Sequence, residues 1–258
     1  YTSSSKEVKN TKILLDKYVA SKITYTFTGG KEVLDGSIIH NWLVVNDNLA
    51  ISFDENKMKD YVSKLDDNYN TYGNERDFAT SFGTTIKVGG GDYGWLVDRR
   101  GEVNALIVSI KGGQTITKQP KYAQTAVSHD ANDIGNTYVE INLTKQHMWF
   151  YKNGSLIAEG DVVTGNASSN KTATPSGVYS LKWKAKNTSL KGEGYNTPVN
   201  CFMPFNGGIG IHGAWWRKSF GGNIYLANGS HGCINAPDDL AMTIYNNIDT
   251  NTPVICYF

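Results

Sequence analysis

The spacing of apolar residues changes character part-way along the chain, and that change limits the possible folds more than any other feature. Residues 137–143, 147–152, 156–163, 177–184 and 209–212 are rich in β-branched and aromatic side chains, with turn sequences such as Lys152-Asn153-Gly154 between them. Segments of this kind read as strands whose inward side chains build a core. Upstream the signals are mixed. Val8, Leu14, Leu15, Tyr18 and Val19 recur at helical intervals over Lys6–Ser21. Asp54 is placed to cap a second helix that carries Met58, Tyr61, Val62 and Leu65 on one face. Val103, Leu106, Ile107 and Ile110 form the stripe of a third helix over Glu102–Lys111, ended by Gly112-Gly113. Ile38–Val45 and Thr84–Val88 read as strands.

Turn-forming residues cluster at Ala131-Asn132-Asp133-Ile134-Gly135-Asn136, just before the strong strand signal. The expectation is therefore an α+β domain over residues 1–132 and a mainly-β domain over 136–258. One late helix starts at Pro237, with Asp238 and Asp239 in its first turn, where carboxylates favour the helix dipole. Leu240, Ala241, Ile244, Tyr245 and Ile248 are its apolar positions, and Val254–Phe258 closes the chain as a buried strand. A length of 258 residues fits two domains at ~100–200 residues each.

Composition excludes several classes. The net charge is +1 with no polybasic block, so neither nucleic acid nor an anionic membrane surface is indicated. No apolar run approaches the ~20 residues that span a bilayer. No cysteine–histidine set has the paired spacing of structural zinc. Gly89-Gly90-Gly91-Asp92-Tyr93-Gly94 satisfies the dinucleotide pattern G-x-G-x-x-G, but Trp95–Arg99 after it reads as extended. A pyrophosphate site needs a helix N-terminus there, so the segment is taken as a glycine-rich turn.

The chemistry concentrates at Ser230-His231-Gly232-Cys233-Ile234-Asn235, with His212 eighteen positions before Ser230. Cysteine attacks carbonyls as the thiolate, and a nearby imidazole removes the proton and stabilises the resulting charge. Cys233 is therefore the candidate nucleophile, with His212 and His231 as candidate bases. Only Cys201 and Cys256 remain. They read as two buried thiols in strands, with a bridge between them as the alternative. His40, His129 and His147 have no partners at ligand spacing and are read as structural.

Gly210-Ile211-His212-Gly213 followed by Ser230–Asn235 resembles the active-site signature of the L,D-transpeptidases with a YkuD-type catalytic domain. Four further blocks agree in order: Thr137–Leu143, Gln146–Gly154, Val162–Gly165 and Ala173–Tyr179. Together they cover roughly residues 136–258. Gly89–Arg99 more loosely resembles the adaptor domain, often described as peptidoglycan-binding, that precedes this catalytic domain in some members. The resemblance implies a β-sandwich-like catalytic domain with one C-terminal helix. It also implies a location at the extracellular face of the membrane or in the cell wall, with an N-terminal membrane anchor outside this chain.

For the site, the resemblance implies that Cys233 attacks a peptidoglycan tetrapeptide stem, releases the terminal D-Ala, and passes the acyl group to a second stem as a 3→3 cross-link. Carbapenem-type β-lactams would acylate the same thiol, and no cofactor or metal is required. His212 is the implied base, its ring oriented by the backbone carbonyl of Gly213. His231 is a helper, and the N–H groups of Gly232 and Cys233 are expected oxyanion donors. Ser230 and Asn235 flank the turn as hydrogen-bonding or as ordinary turn residues, and Asn235 is also expected to contact the substrate. Trp216 and Met203 match groove-lining positions, with core packing as the alternative. Lys186–Val199 is a lid or an inert surface loop. Two rival functions stay open: an L,D-carboxypeptidase or endopeptidase that uses water as acceptor, and a catalytically silent cell-wall-binding protein. A papain-like protease fits less well, because there the histidine follows the nucleophile.

Overall fold

A computed structural model describes residues 2, 5–27, 29–129, 132–192 and 195–258, with Tyr195 described for its backbone alone. Tyr1, Ser3 and Ser4 at the start of the chain, Ala131 of the expected boundary, and Glu193 and Gly194 of the expected lid lie outside the described residues. The chain forms two compact units, one of Tyr1–Asn70 with Trp95–Gln124 and the other of Thr71–Gly94 with Thr125–Phe258. Thr71–Gly94, from the first half of the chain, thus belongs to the same compact unit as the second half.

In the first unit a three-stranded sheet is ordered Gly30–Leu34, Lys22–Phe27, Thr115–Lys118, the first pair antiparallel and the second parallel. The helix Glu55–Tyr69 begins where Asp54 accepts the N–H groups of Asn56 and Lys57, and it buries Met58, Val62 and Leu65. The helix Arg99–Gly112 is capped by Asp98 and ends at Gly113. Its buried Val103, Leu106 and Ile110 join Ile23, Tyr25, Leu34, Ile39 and Trp42 in one core. The helix Lys6–Val19 carries no fully buried residue, and Leu14 of its expected stripe is exposed.

One expected strand is replaced. Ile38–Val45 is helical at its start, as Gly36–Ile39 and a 3₁₀ turn His40–Trp42, with strand only at Leu43–Val45. Asp35 decides this locally, because its carboxylate accepts the Ser37 N–H at 2.9 Å and the Ser37 hydroxyl at 2.6 Å. Ile39 and Trp42, three apart, then both point into the core.

The second unit holds two larger sheets. One runs in the order Ser155–Asp161, His147–Lys152, Tyr138–Asn142, Pro253–Tyr257, Gly177–Ser180. The other runs Ala185–Gly192, Tyr195–Asn206, Ile209–Gly213, Ile234–Ala236. Val139, Ile141, Met148 and Phe150 of the first share a core with Cys201, Met203, Phe205, Ile211 and Ile234 of the second. The helix Asp238–Asn247, with Pro237 at its N-cap, adds Leu240, Ala241 and Ile244 to the same core. This is the expected mainly-β, sandwich-like unit with a late helix. A short second helix, Ile224–Asn228, was not expected.

Thr71–Gly94 joins this unit through buried polar contacts. Its hairpin pairs Arg76–Ala79 with Thr85–Val88. At the hairpin tip, the fully buried Glu140 accepts the Ser81 N–H at 2.9 Å, the Ser81 hydroxyl at 2.6 Å and the Tyr257 hydroxyl at 2.6 Å. Arg76 pairs with the buried Asp133 at 2.6 Å, and Gly91 bridges to Val178. Buried charges persist only when partnered in this way.

The segment Lys186–Val199, expected as a loop, is largely a β-hairpin of Ala185–Gly192 against Tyr195–Asn206, in register from Ala185↔Phe202 to Gly192↔Tyr195. Its outward positions are polar, so no apolar alternation marks it in the sequence. Cys201 and Cys256 are both buried free thiols. Burial pushes the Cys201 thiol up to about 11.

Candidate active site

Strand alternation assigns each side chain near the motif to one of two faces. Ile211, Ile234 and Ala236 enter the core, so His212 and Asn235 point to the other face, paired directly across a parallel ladder. Cys201, Met203 and Phe205 likewise share the core face, leaving Phe202 opposite His212. Met203 is therefore core, fully buried, and not part of a substrate groove.

The opposite face opens into a cavity of ≈ 310 Å³ lined by His212, Trp216, Arg217, Gly229, Ser230, His231, Cys233 and Asn235, with Leu190 and Thr197 from the hairpin. The hairpin thus supplies part of the cavity wall. The Trp216 ring lies 5.8 Å from that of His212.

The turn that presents Cys233 is tied from several sides. Ser230 Oγ donates to the Cys233 carbonyl at 2.6 Å and accepts the Gly232 N–H at 3.0 Å. The main chain of Ser230 bonds to Thr164 and Asn166, and that of Asn235 to Val163. Thr174 Oγ1 donates to the Gly232 carbonyl at 2.7 Å and accepts the Gly165 N–H at 2.9 Å. Gly232 has φ +117, and a Cβ there would meet Ile209 at 3.0 Å, so this position needs glycine. Because the Gly232 N–H is already held by Ser230, it is not the free oxyanion donor that the sequence led us to expect.

Cys233 is half-buried, its Sγ 3.6 Å from the Gly208 carbonyl. Burial raises its pKa, opposed by an N–H from Gly210. His212 is 2 % exposed. Its Nδ1 lies 2.8 Å from the Gly213 carbonyl, as expected, and Asn235 Nδ2 is 3.1 Å from its Nε2. Burial lowers its pKa to about 4, with the Arg217 charge adding to the fall. At neutral pH the resting pair is thus a neutral thiol and a neutral imidazole. Asn235, expected as a substrate contact or turn residue, is 3 % exposed, and its amide is engaged by His212 and Arg217. A Cβ on Gly213 would collide with the Asp238 carboxylate, so no side chain at 213 supplies a third member.

A model described as "L,D-transpeptidase catalytic domain" matches residues 136–256, and one described as "Putative peptidoglycan binding domain" matches 1–118. A crystal structure of an Enterococcus faecium L,D-transpeptidase, a cysteine-to-serine mutant, aligns with TM-score 0.72 and 32% identity over 96% of this chain and 100% of its own. The chain belongs to the L,D-transpeptidase family. The avibactam carbamoyl enzyme of Ldtfm is also similar, at 32% identity and TM-score 0.72, covering 97% of this chain and 99% of its own. Among curated protein sequences none matches.

Within this L,D-transpeptidase framework, four contributors escaped the sequence reading: Arg217, Thr174, Gly208 and Gly210. Thr174 lies in a block that carried the family resemblance, and Gly210 directly precedes Ile211-His212. Arg217 follows Trp216 in the same loop, and only the folded ladder brings it to Asn235.

Proposed function

We propose that the chain forms 3→3 cross-links between peptidoglycan stems through a Cys233 thioester, at the outer face of the cell membrane or in the cell wall, where that polymer lies. The observation that carries this reading is the placement of Cys233 and His212 on one cavity, with Nδ1 anchored on the Gly213 carbonyl, which leaves Nε2 as the ring's acceptor, contacted at rest by Asn235 Nδ2. The family's 32% identical member supports the same reading.

As the Asn235 N–H gives way, His212 Nε2 takes the thiol proton and Sγ bonds to the carbonyl carbon of the third stem residue, at its L-centre. The carbonyl oxygen becomes an oxyanion. As it re-forms the carbonyl, the bond to the D-Ala nitrogen breaks, and the imidazolium gives its proton to that leaving amine. A thioester remains. The side-chain amine of a third residue on another stem then attacks the thioester carbon, His212 takes one proton from that nitrogen, and the proton returns to the Cys233 sulfur as it leaves. One amide is broken and one formed, with no redox change and no cofactor. His231 lines the cavity as a helper to the oxyanion or the acceptor amine, while Ser230 and Gly232 hold and shape the nucleophile's turn. Trp216 walls the substrate groove.

Incubation with a carbapenem followed by intact-protein mass spectrometry tests the assignment. The wild type gains one drug mass and Cys233→Ala gains none; acylation of the alanine variant would mean that the nucleophile is misassigned. His212→Ala slows acylation much more than His231→Ala. The reverse ranking would exchange their roles.

A further inference from the structure

We propose that Arg217 is a positioning residue which, through Asn235, fixes His212 in the tautomer with its proton on Nδ1 and a bare Nε2. The inference rests on the reading of His212 as the catalytic base. A guanidinium has donors only. Arg217 Nε lies 2.7 Å from Asn235 Oδ1, so the oxygen end of the amide must face the arginine. The NH₂ end then faces His212 Nε2 at 3.1 Å, and an amide nitrogen only donates, so Nε2 must accept. At the other edge of the ring the Gly213 carbonyl, 2.8 Å from Nδ1, only accepts, so Nδ1 must carry the hydrogen. Two separate contacts thus demand the same tautomer.

The arginine is itself anchored. Its main-chain N–H donates to Ala214 O at 2.9 Å, and its Nη1 donates to Asn228 O at 3.0 Å. Among the described residues lining the cavity it is the only lysine or arginine. Without it, Asn235 could turn its oxygen toward Nε2 and accept a proton there, making imidazolium or the other tautomer available. With it, a proton on Nε2 meets an N–H dipole and a fixed positive charge. The imidazolium formed during turnover is therefore a strong acid, suited to hand its proton to the leaving amine. The surrounding charged or titratable groups are Arg217 on the loop after His212, His231 and Cys233 on the nucleophile's turn, and Asp238 beside Gly213 on the late helix. Phe202 and Trp216 present uncharged rings.

The test is ¹⁵N NMR of the His212 ring in the full chain across pH 4–8, with the pH profile of carbapenem acylation. The wild type should show a protonated Nδ1 and bare Nε2 down to near pH 5; a wild-type Nε2–H at neutral pH overturns the proposal outright. Arg217→Met should raise the His212 midpoint, and the acid limb of acylation with it, by about one pH unit, and admit the second tautomer. An Arg217→Met protein with unchanged tautomer and midpoint would also overturn it. Asn235→Asp keeps Arg217 and gives Nε2 a carboxylate to bond, so its midpoint should rise by about one unit or more. No rise there counts against the proposal, even if Arg217→Met does not fold. The NMR readout does not depend on cross-linking. A chain with the stated tautomer and no transpeptidation would refute only the proposed function.

Discussion

Replacing Thr174 by valine keeps the shape of a nearly buried side chain and removes one hydroxyl. That hydroxyl accepts the Gly165 N–H at 2.9 Å and donates to the Gly232 carbonyl at 2.7 Å, linking two segments that frame Cys233. Valine leaves both backbone groups buried without partners, at roughly 1–3 kcal/mol each. If the loops stay in place, Thr174→Val therefore loses about 2–6 kcal/mol of stability. If the turn relaxes to hydrate them, less stability is lost but the nucleophile is displaced. A shift on the order of 1 Å at a reacting group lowers rate by about 10²-fold. Urea unfolding followed by the fluorescence of Trp149, Trp183, Trp215 and Trp216 measures the first quantity, and carbapenem acylation by intact mass measures the second. A variant within about 0.5 kcal/mol of wild type, acylating at the wild-type rate, would refute the argument that Thr174 ties the turn.

The buried His212 also gives a pH signature. Its folded pKa of about 4 lies below the ordinary 6.5, so on acidification the unfolded chain takes up the proton first. The stability owed to the neutral ring is complete above pH 6.5 and is lost as pH falls toward 4, by roughly 3 kcal/mol in all. His212→Gln should show a flatter stability curve through that window, and parallel curves would contradict the assignment. Glu140→Ala removes the acceptor of three hydrogen bonds and should cost roughly 3 kcal/mol or more, with Glu140→Gln milder because one carbonyl oxygen remains. Thermal unfolding compares the two, and equal melting temperatures for wild type and Glu140→Ala would deny Glu140 its role in fixing the Thr71–Gly94 excursion.

Local patterns were readable wherever neighbours in sequence are also neighbours in space. The stripe of Met58, Val62 and Leu65 and the cap at Asp54 act within one or two turns of helix, and the late helix after Pro237 began where its first-turn aspartates indicated. Ile38–Val45 misled because an apolar run fits a strand or a buried helical turn equally, and the deciding group, Asp35, stands outside the run. The hairpin over 185–206 depends on pairing to the strand Ile209–Gly213 and has polar outward positions, so it reads as a loop. The Thr71–Gly94 excursion depends on Glu140 and Asp133, more than fifty residues further along the chain. At the site, Cys233 was legible as a thiol with two nearby histidines, while the choice of His212 and the Gly213 carbonyl came from the family resemblance. Arg217 was not, since its meaning comes from Asn235 eighteen positions away. Met203 shows the converse: the family resemblance placed it at a groove-lining position, with core packing as the alternative, and strand parity put it in the core.

The measurement closest to the central claim is mass-resolved product analysis on a purified disaccharide-tetrapeptide. The account predicts a dimer joined between two third residues, with one D-Ala released per bond formed, and none of either from Cys233→Ala. Tripeptide alone would make water the acceptor and the chain a hydrolase; intact tetrapeptide from a protein that still binds sacculi would contradict catalysis altogether.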